Sequence, residues 1–136
     1  MRTEVNFESE IFPPTLNEED ETNPGIWGKN LAVYLVKKLK SYNIQIEDYY
    51  PEDWGWEIAL RNDHFPIYIG CTNEEESEKS FRCIFTPNKQ FIRKWFKKID
   101  TTNDMKKITD IIDSILHEDV LITKIRWEHS AHPKSI

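Results

Sequence analysis

Three short runs of two-residue periodicity constrain the fold of this chain more than anything else in it. Trp56, Ile58 and Leu60 alternate with polar or small neighbours; Ile67, Ile69 and Cys71 repeat the pattern, and Phe81, Cys83 and Phe85 repeat it again. Successive side chains on a strand point to opposite faces, so each run has one apolar face. Runs this close in sequence predict neighbouring antiparallel strands, covered on one side and open on the other. Asn62-Asp63-His64 ahead of Pro66 supplies one turn, and the polar stretch Asn73 to Lys79 supplies the next. A hairpin centred near Ser77 sets Ile69 opposite Phe85 and Cys71 opposite Cys83. The open face would then carry Glu57, Arg61, Tyr68, Thr72 and Arg82.

Helical periodicity appears elsewhere. Trp27, Leu31, Tyr34, Leu35, Leu39 and Tyr42 recur at spacings of three and four, which predicts a helix over 27–42. Met105, Ile108, Ile111, Ile112, Ile115 and Leu116 form a second stripe behind the cap candidates Thr101 and Thr102. Phe91 to Lys98 reads as a short helix or helical turn with Phe91 and Trp95 turned inward and Ile92 and Phe96 as further candidates for that face. Thr3 to Ser9 and Leu121 to Trp127 read as strands, and Ile44 to Glu47 begins another that breaks around Tyr50-Pro51-Glu52-Asp53. Residues 10–25, with Pro13-Pro14 and the run Glu18-Glu19-Asp20-Glu21, read as a solvated loop. The expected architecture is α+β: a mainly antiparallel sheet of five to six strands with two to three helices on one face. It spans residues 1–128 as one domain, with 129–136 a flexible polar tail.

A chain of 136 residues is long enough to bury a core without staples. It has no apolar run approaching 18 residues and no apolar N-terminal stretch, so neither a membrane span nor a secretory signal is expected. Two cysteines fall far short of a disulfide framework, and the expectation is a reduced, cytoplasmic protein. A net charge of −6 argues against general nucleic-acid binding. The charge is segregated: residues 1–28 and 47–80 are strongly acidic, whereas 89–107 carry seven Lys or Arg against Asp100 and Asp104.

The most distinctive stretch is Glu52-Asp53-Trp54-Gly55-Trp56. Adjacent carboxylates beside two indoles can bind a cation or act as acid and base, with His64 as a conceivable third group. The same residues serve a fold equally well, as a capped turn with two core tryptophans and a glycine bulge. His129-x-x-His132 has loosely metal-like spacing but no supporting ligand set, and neither a metal nor a cofactor is expected. Lys89, Arg93, Lys94, Lys97 and Lys98 make a basic patch interleaved with aromatics. It can contact phosphates with Trp95 stacking on a base, or it can be an amphipathic helix with its lysines in water.

The chain resembles a family of small uncharacterised bacterial proteins that carry a Glu-Asp-Trp-Gly-Trp motif. The resemblance rests on Asn23-Pro24-Gly25 with Gly28, on Glu52 to Trp56, and on Phe65-Pro66 followed by Ile69-Gly70-Cys71. Lys98-Ile99-Asp100-Thr101 and Arg126-Trp127 extend it, so that it spans residues 23–127. It implies a bacterial or phage source and a stand-alone domain, and it brings no activity with it.

The functional expectation is a non-enzymatic acidic protein that binds another protein, in the manner of an immunity protein or phage-encoded inhibitor. Glu52, Asp53, Trp54, Trp56, Glu74, Glu75 and Glu76 are its candidate contact residues. The alternatives are a small enzyme using Glu52, Asp53 and His64, and a nucleic-acid binder using the basic patch. The sequence leaves the oligomeric state open.

Overall fold

The computed structural model describes residues 1–75 and 77–129. Within them the chain is α+β. Six strands, β1 (Arg2–Ser9), β2 (Ile46–Glu52), β3 (Gly55–Leu60), β4 (Ile67–Asn73), β5 (Ser80–Thr86) and β8 (Ile122–His129), form one antiparallel sheet in the order β2-β3-β4-β5-β1-β8. A separate two-stranded ribbon joins β6 (Phe91–Lys94) to β7 (Lys97–Asp100). The two helices are α1 (Lys29–Ser41) and α2 (Thr102–Glu118).

The three alternating runs become the central strands β3, β4 and β5. Ile58 pairs with Ile69, Ile69 with Phe85, and Cys71 with both Trp56 and Cys83. These side chains, with Val5 and Phe7 of β1, are almost fully buried. They meet the stripe of Leu31, Leu35 and Leu39 from α1 and that of Met105, Ile112 and Leu116 from α2. Both helices cover the same face, as expected. Each such side chain contributes about 1.5–3 kcal/mol when fully buried.

Two local expectations are corrected. Phe91 to Lys98 is not a helix but a hairpin with a two-residue turn, in which Ile92 pairs with Ile99 and Lys94 with Lys97. Only Ile92 and Ile99 of this ribbon pack on the core; Trp95 does not turn inward. Strand β2 does not break at Pro51 but runs through it to Glu52. It is an edge strand, where a missing N–H costs no ladder bond.

The acidic run is also more than a solvated loop. Glu18 opens a turn of 3₁₀ helix and is 1 % exposed. Its carboxylate accepts hydrogen bonds from the backbone N–H of Gly28 and Lys29, each at 2.8 Å, and of Thr15 at 2.9 Å. A buried anion thus satisfies the orphan donors where α1 begins and suits the positive end of the helix dipole. Among the described residues, no helix is long and apolar enough to cross a membrane. Residues 130–136, most of the expected tail and His132 with it, lie outside the described residues, as does Glu76.

Candidate functional site

The hairpin turns β2–β3 and β4–β5 lie at the same end of the sheet, because antiparallel neighbours put alternate turns at alternate ends. Glu52 and Asp53 from the first turn therefore gather near Glu74 and Glu75 from the second. The loop before α1 joins them. Asn23 donates from Nδ2 to the carbonyl of Asp53 at 3.1 Å, and Asn73 holds the backbone of Gly25 and Trp27. This end of the sheet is an acidic rim with the exposed carboxylates of Glu19, Asp20, Glu21, Asp53 and Glu75.

Trp54 and Trp56 part company here. Trp56 is 3 % exposed, points to the helix-covered face and lies under Lys29, so it belongs to the core and is withdrawn as a contact residue. Trp54 is 40 % exposed and folds the other way. Its ring covers Gly70, whose neighbours Ile69 and Cys71 point into the core, so the indole lies on the uncovered face. It forms one wall of a groove of about 350 Å³ floored by Gly70, Thr72 and Ile84 and bounded by Glu57, Arg82 and Thr86. That volume is in the range of pockets that take a side chain or small ligand. Arg82 is shared with an adjoining hollow lined by Glu74, Glu75, Ser77 and Ser80, so the groove opens toward the acidic rim.

The groove is polarised along its length. On the Glu57 side, the Tyr50 hydroxyl donates to the carboxylate at 2.9 Å, and burial together with Glu57 pushes the phenol up to about 12. On the Arg82 side, the guanidinium stands 3.9 Å from Glu4. Burial and the nearby Glu128 raise the Glu4 carboxyl above its usual value, which Arg82 only partly offsets. Arg82 Nε and, on the paired residue, Asn6 Oδ1 are buried without a hydrogen-bond partner among the described residues. Of the residues expected on this face, Glu57, Tyr68, Thr72 and Arg82 are there; Arg61 lies past the end of β3 and pairs with Glu47 at 3.3 Å. The groove is not legible in the sequence, because the space over Gly70 exists only for want of a side chain there and the wall beside it comes from a turn.

His64 does not join Glu52 and Asp53. It follows β3, they precede it, and six strand residues separate the two ends by about 20 Å. His64 instead bonds Asp104 through Nδ1 at 2.8 Å, and Asn62 donates to the same carboxylate oxygen at 3.0 Å. This pair opens on a polar hollow in which no described lining residue is a serine, threonine or cysteine. The described residues contain no group of three His, Cys, Asp or Glu placed to hold a metal ion.

Of the basic patch, Arg93 and Lys94 lie on β6 and Lys97 and Lys98 on β7, with Lys89 in the segment before β6, all beyond the far end of β5 from the acidic rim. Searches against protein-family models, curated proteins and solved structures find no match to this chain.

Proposed function

We propose that this domain is a non-enzymatic binding protein of the immunity or inhibitor kind, whose acidic rim and adjoining groove receive a basic protein partner. The observation that carries the reading is Trp54, a large aromatic laid over a glycine on the uncovered sheet face, half exposed beside a groove that opens toward the acidic rim. Aromatics in such settings are typical anchors at protein interfaces, where truncation costs about 2 kcal/mol or more. The carboxylates of Glu52, Asp53, Glu74 and Glu75 would steer a cationic partner to it and set the rate of encounter. Support is by geometry and charge, and the resemblance to small bacterial proteins fits a stand-alone inhibitor.

The test is affinity capture from a bacterial lysate on the immobilised domain, followed by kinetics with the captured protein. Trp54→Ala should slow nothing in association but raise the off-rate tenfold or more. Charge reversal at Glu74 and Glu75 should lower the on-rate and flatten its salt dependence. A captured protein that binds Trp54→Ala as tightly as the parent would overturn the reading.

A further inference from the structure

We propose that the β6–β7 hairpin is a contact site for single-stranded nucleic acid. The sequence left the stretch 89–98 open between a phosphate-contacting patch and a helix with inward aromatics. The fold removes the second of these. Trp95 and Phe96 form the turn itself and are 86 % and 97 % exposed. Two adjacent rings of this size, held out from the body at a hairpin tip, have free faces on which unpaired bases can stack.

The strands behind the tip carry cations on both faces of the ribbon. Arg93 lies directly opposite Lys98, and Lys94 directly opposite Lys97. Like charges at such positions oppose hairpin formation. Lys98 is relieved of some of the repulsion, by the Phe91 ring whose centre is 4.1 Å from its Nζ and by the charge of Asp100 two residues on, but Arg93, Lys94 and Lys97 have no such contact among the described residues of the ribbon. Two tiers of matched cations beneath two exposed rings are difficult to explain as stabilising the ribbon. They suit a ligand that brings negative charge to both of its faces.

A strand of nucleic acid has that chemistry: phosphates to meet the cations, and flat bases to meet the rings. A duplex keeps its bases stacked on one another and offers the rings nothing. A lipid leaflet offers anionic headgroups, but the tip presents two rings and no aliphatic side chain, a small area when even a single fatty chain anchors only marginally. The net charge of −6 does not forbid the contact. The acidic rim is at the opposite end of the sheet, and salt screens charges beyond about 8 Å under physiological conditions.

The test is fluorescence anisotropy of labelled oligo-dT and oligo-U with the intact protein, across a salt series. Binding should weaken with salt at a slope near −0.7 per phosphate neutralised, about −3 for four cations. A duplex should bind more weakly than either strand. Trp95→Asn, which keeps a residue tolerant of the turn, should weaken binding about tenfold, whereas Trp54→Ala should leave it unchanged. Lys97→Glu should abolish binding while leaving the melting temperature equal or higher, because it replaces a repulsive pair with an attractive one. Absence of binding at low salt, equal affinity for duplex, an unaffected Trp95→Asn variant, or tighter binding to anionic phosphatidylglycerol vesicles than to the oligonucleotides would each overturn the proposal.

Discussion

The indole of Trp54 reaches over β3 to lie against Gly70, so closely that a Cβ on Gly70 would come within 2.8 Å of the ring. Gly70 is on an ordinary extended strand, and what would be struck is the far end of a half-exposed side chain. Gly70→Ala should therefore displace the indole without unfolding the sheet. The expected result is a red-shifted, more easily quenched tryptophan emission, absent in a Trp54→Phe background, with stability changed by less than about 1 kcal/mol. A large loss of stability would mean that the ring is locked in place and cannot act as a mobile anchor.

The contrast is with Gly28 and Gly55, which both press on the carbonyl oxygen of Cys71. A Cβ would approach that oxygen to 2.3 Å from Gly28 and 2.5 Å from Gly55. Here the obstacle is backbone in a central strand, which cannot step aside. Gly55 in addition has φ +148°, a conformation that side chains disfavour. Alanine at either position should cost about 3 kcal/mol or more by chemical denaturation, Gly55 the greater. Parity with Gly70→Ala would show that α1 and the β2–β3 turn are not seated on β4 as described.

These contacts also mark what could be read from sequence. The facing of the strands could: alternation in 56–60, 67–71 and 81–85 put one apolar face on each, and a hairpin centred near Ser77 set Cys71 against Cys83, as the sheet does. The helix stripes were as clear. The hairpin at 91–100 was hidden for a physical reason. Its turn contains no Gly, Asn or Asp; Trp95 itself adopts φ +63°, so no residue announced a turn. Phe91 and Trp95 also fall at the spacing of one helical turn. The groove was hidden because it depends on which way Trp54 leaves its turn, a tertiary matter that periodicity does not address. Glu18 was lost within a run of acids whose other members are exposed.

Glu18 sets a third prediction. Its two oxygens take three backbone N–H groups and the Thr15 hydroxyl inside a site that is 1 % exposed. Hydrogen bonds to a charged group contribute about 1.5–3 kcal/mol each, and buried donors left unpaired carry a further penalty. Glu18→Ala should destabilise by about 2–4 kcal/mol, whereas Glu19→Ala, one residue on and exposed, should change little. Urea denaturation with unchanged slope would assign the loss to the folded state. Equal effects at the two positions would remove Glu18 as the anchor of α1.

The paired thiols set a fourth. Cys71 and Cys83 are both fully buried, and burial, with Cys83 alongside, raises the Cys71 thiol well above its ordinary range. A labelling reagent cannot reach either sulfur while both side chains are sealed in the core, so neither cysteine should label in the native protein at mildly alkaline pH, and both should label in denaturant. Rapid native labelling of both would show that the sheet opens there.

His64 and Asp104 give the last prediction, and its sign follows from their bond. Asp104 raises the His64 imidazole above its usual value, first through the hydrogen bond and then through charge. Burial pushes the Asp104 carboxyl up, but the hydrogen bonds from Asn62 and His64, joined by the charges of His64 and Lys107, together outweigh it and leave it below its usual value. A histidine raised on folding contributes stability that is complete below its unfolded value near 6.5 and is lost as pH rises through the folded one. A lowered aspartate contributes above its unfolded value near 3.9, and that share disappears as pH falls through the folded one. The pair should therefore stabilise most between about pH 4 and 6.5. The melting temperature of the parent should exceed that of His64→Ala near pH 5.5, about one unit below the unfolded histidine value, and the gap should close by about pH 9. Asp104→Asn should lower the His64 titration followed by NMR, because it removes the largest cause of the rise. A gap that widens above neutrality would mean the imidazole is held neutral in the folded protein, and the pair would then be a candidate base in its polar hollow, which would reopen an enzymatic reading for this end of the sheet.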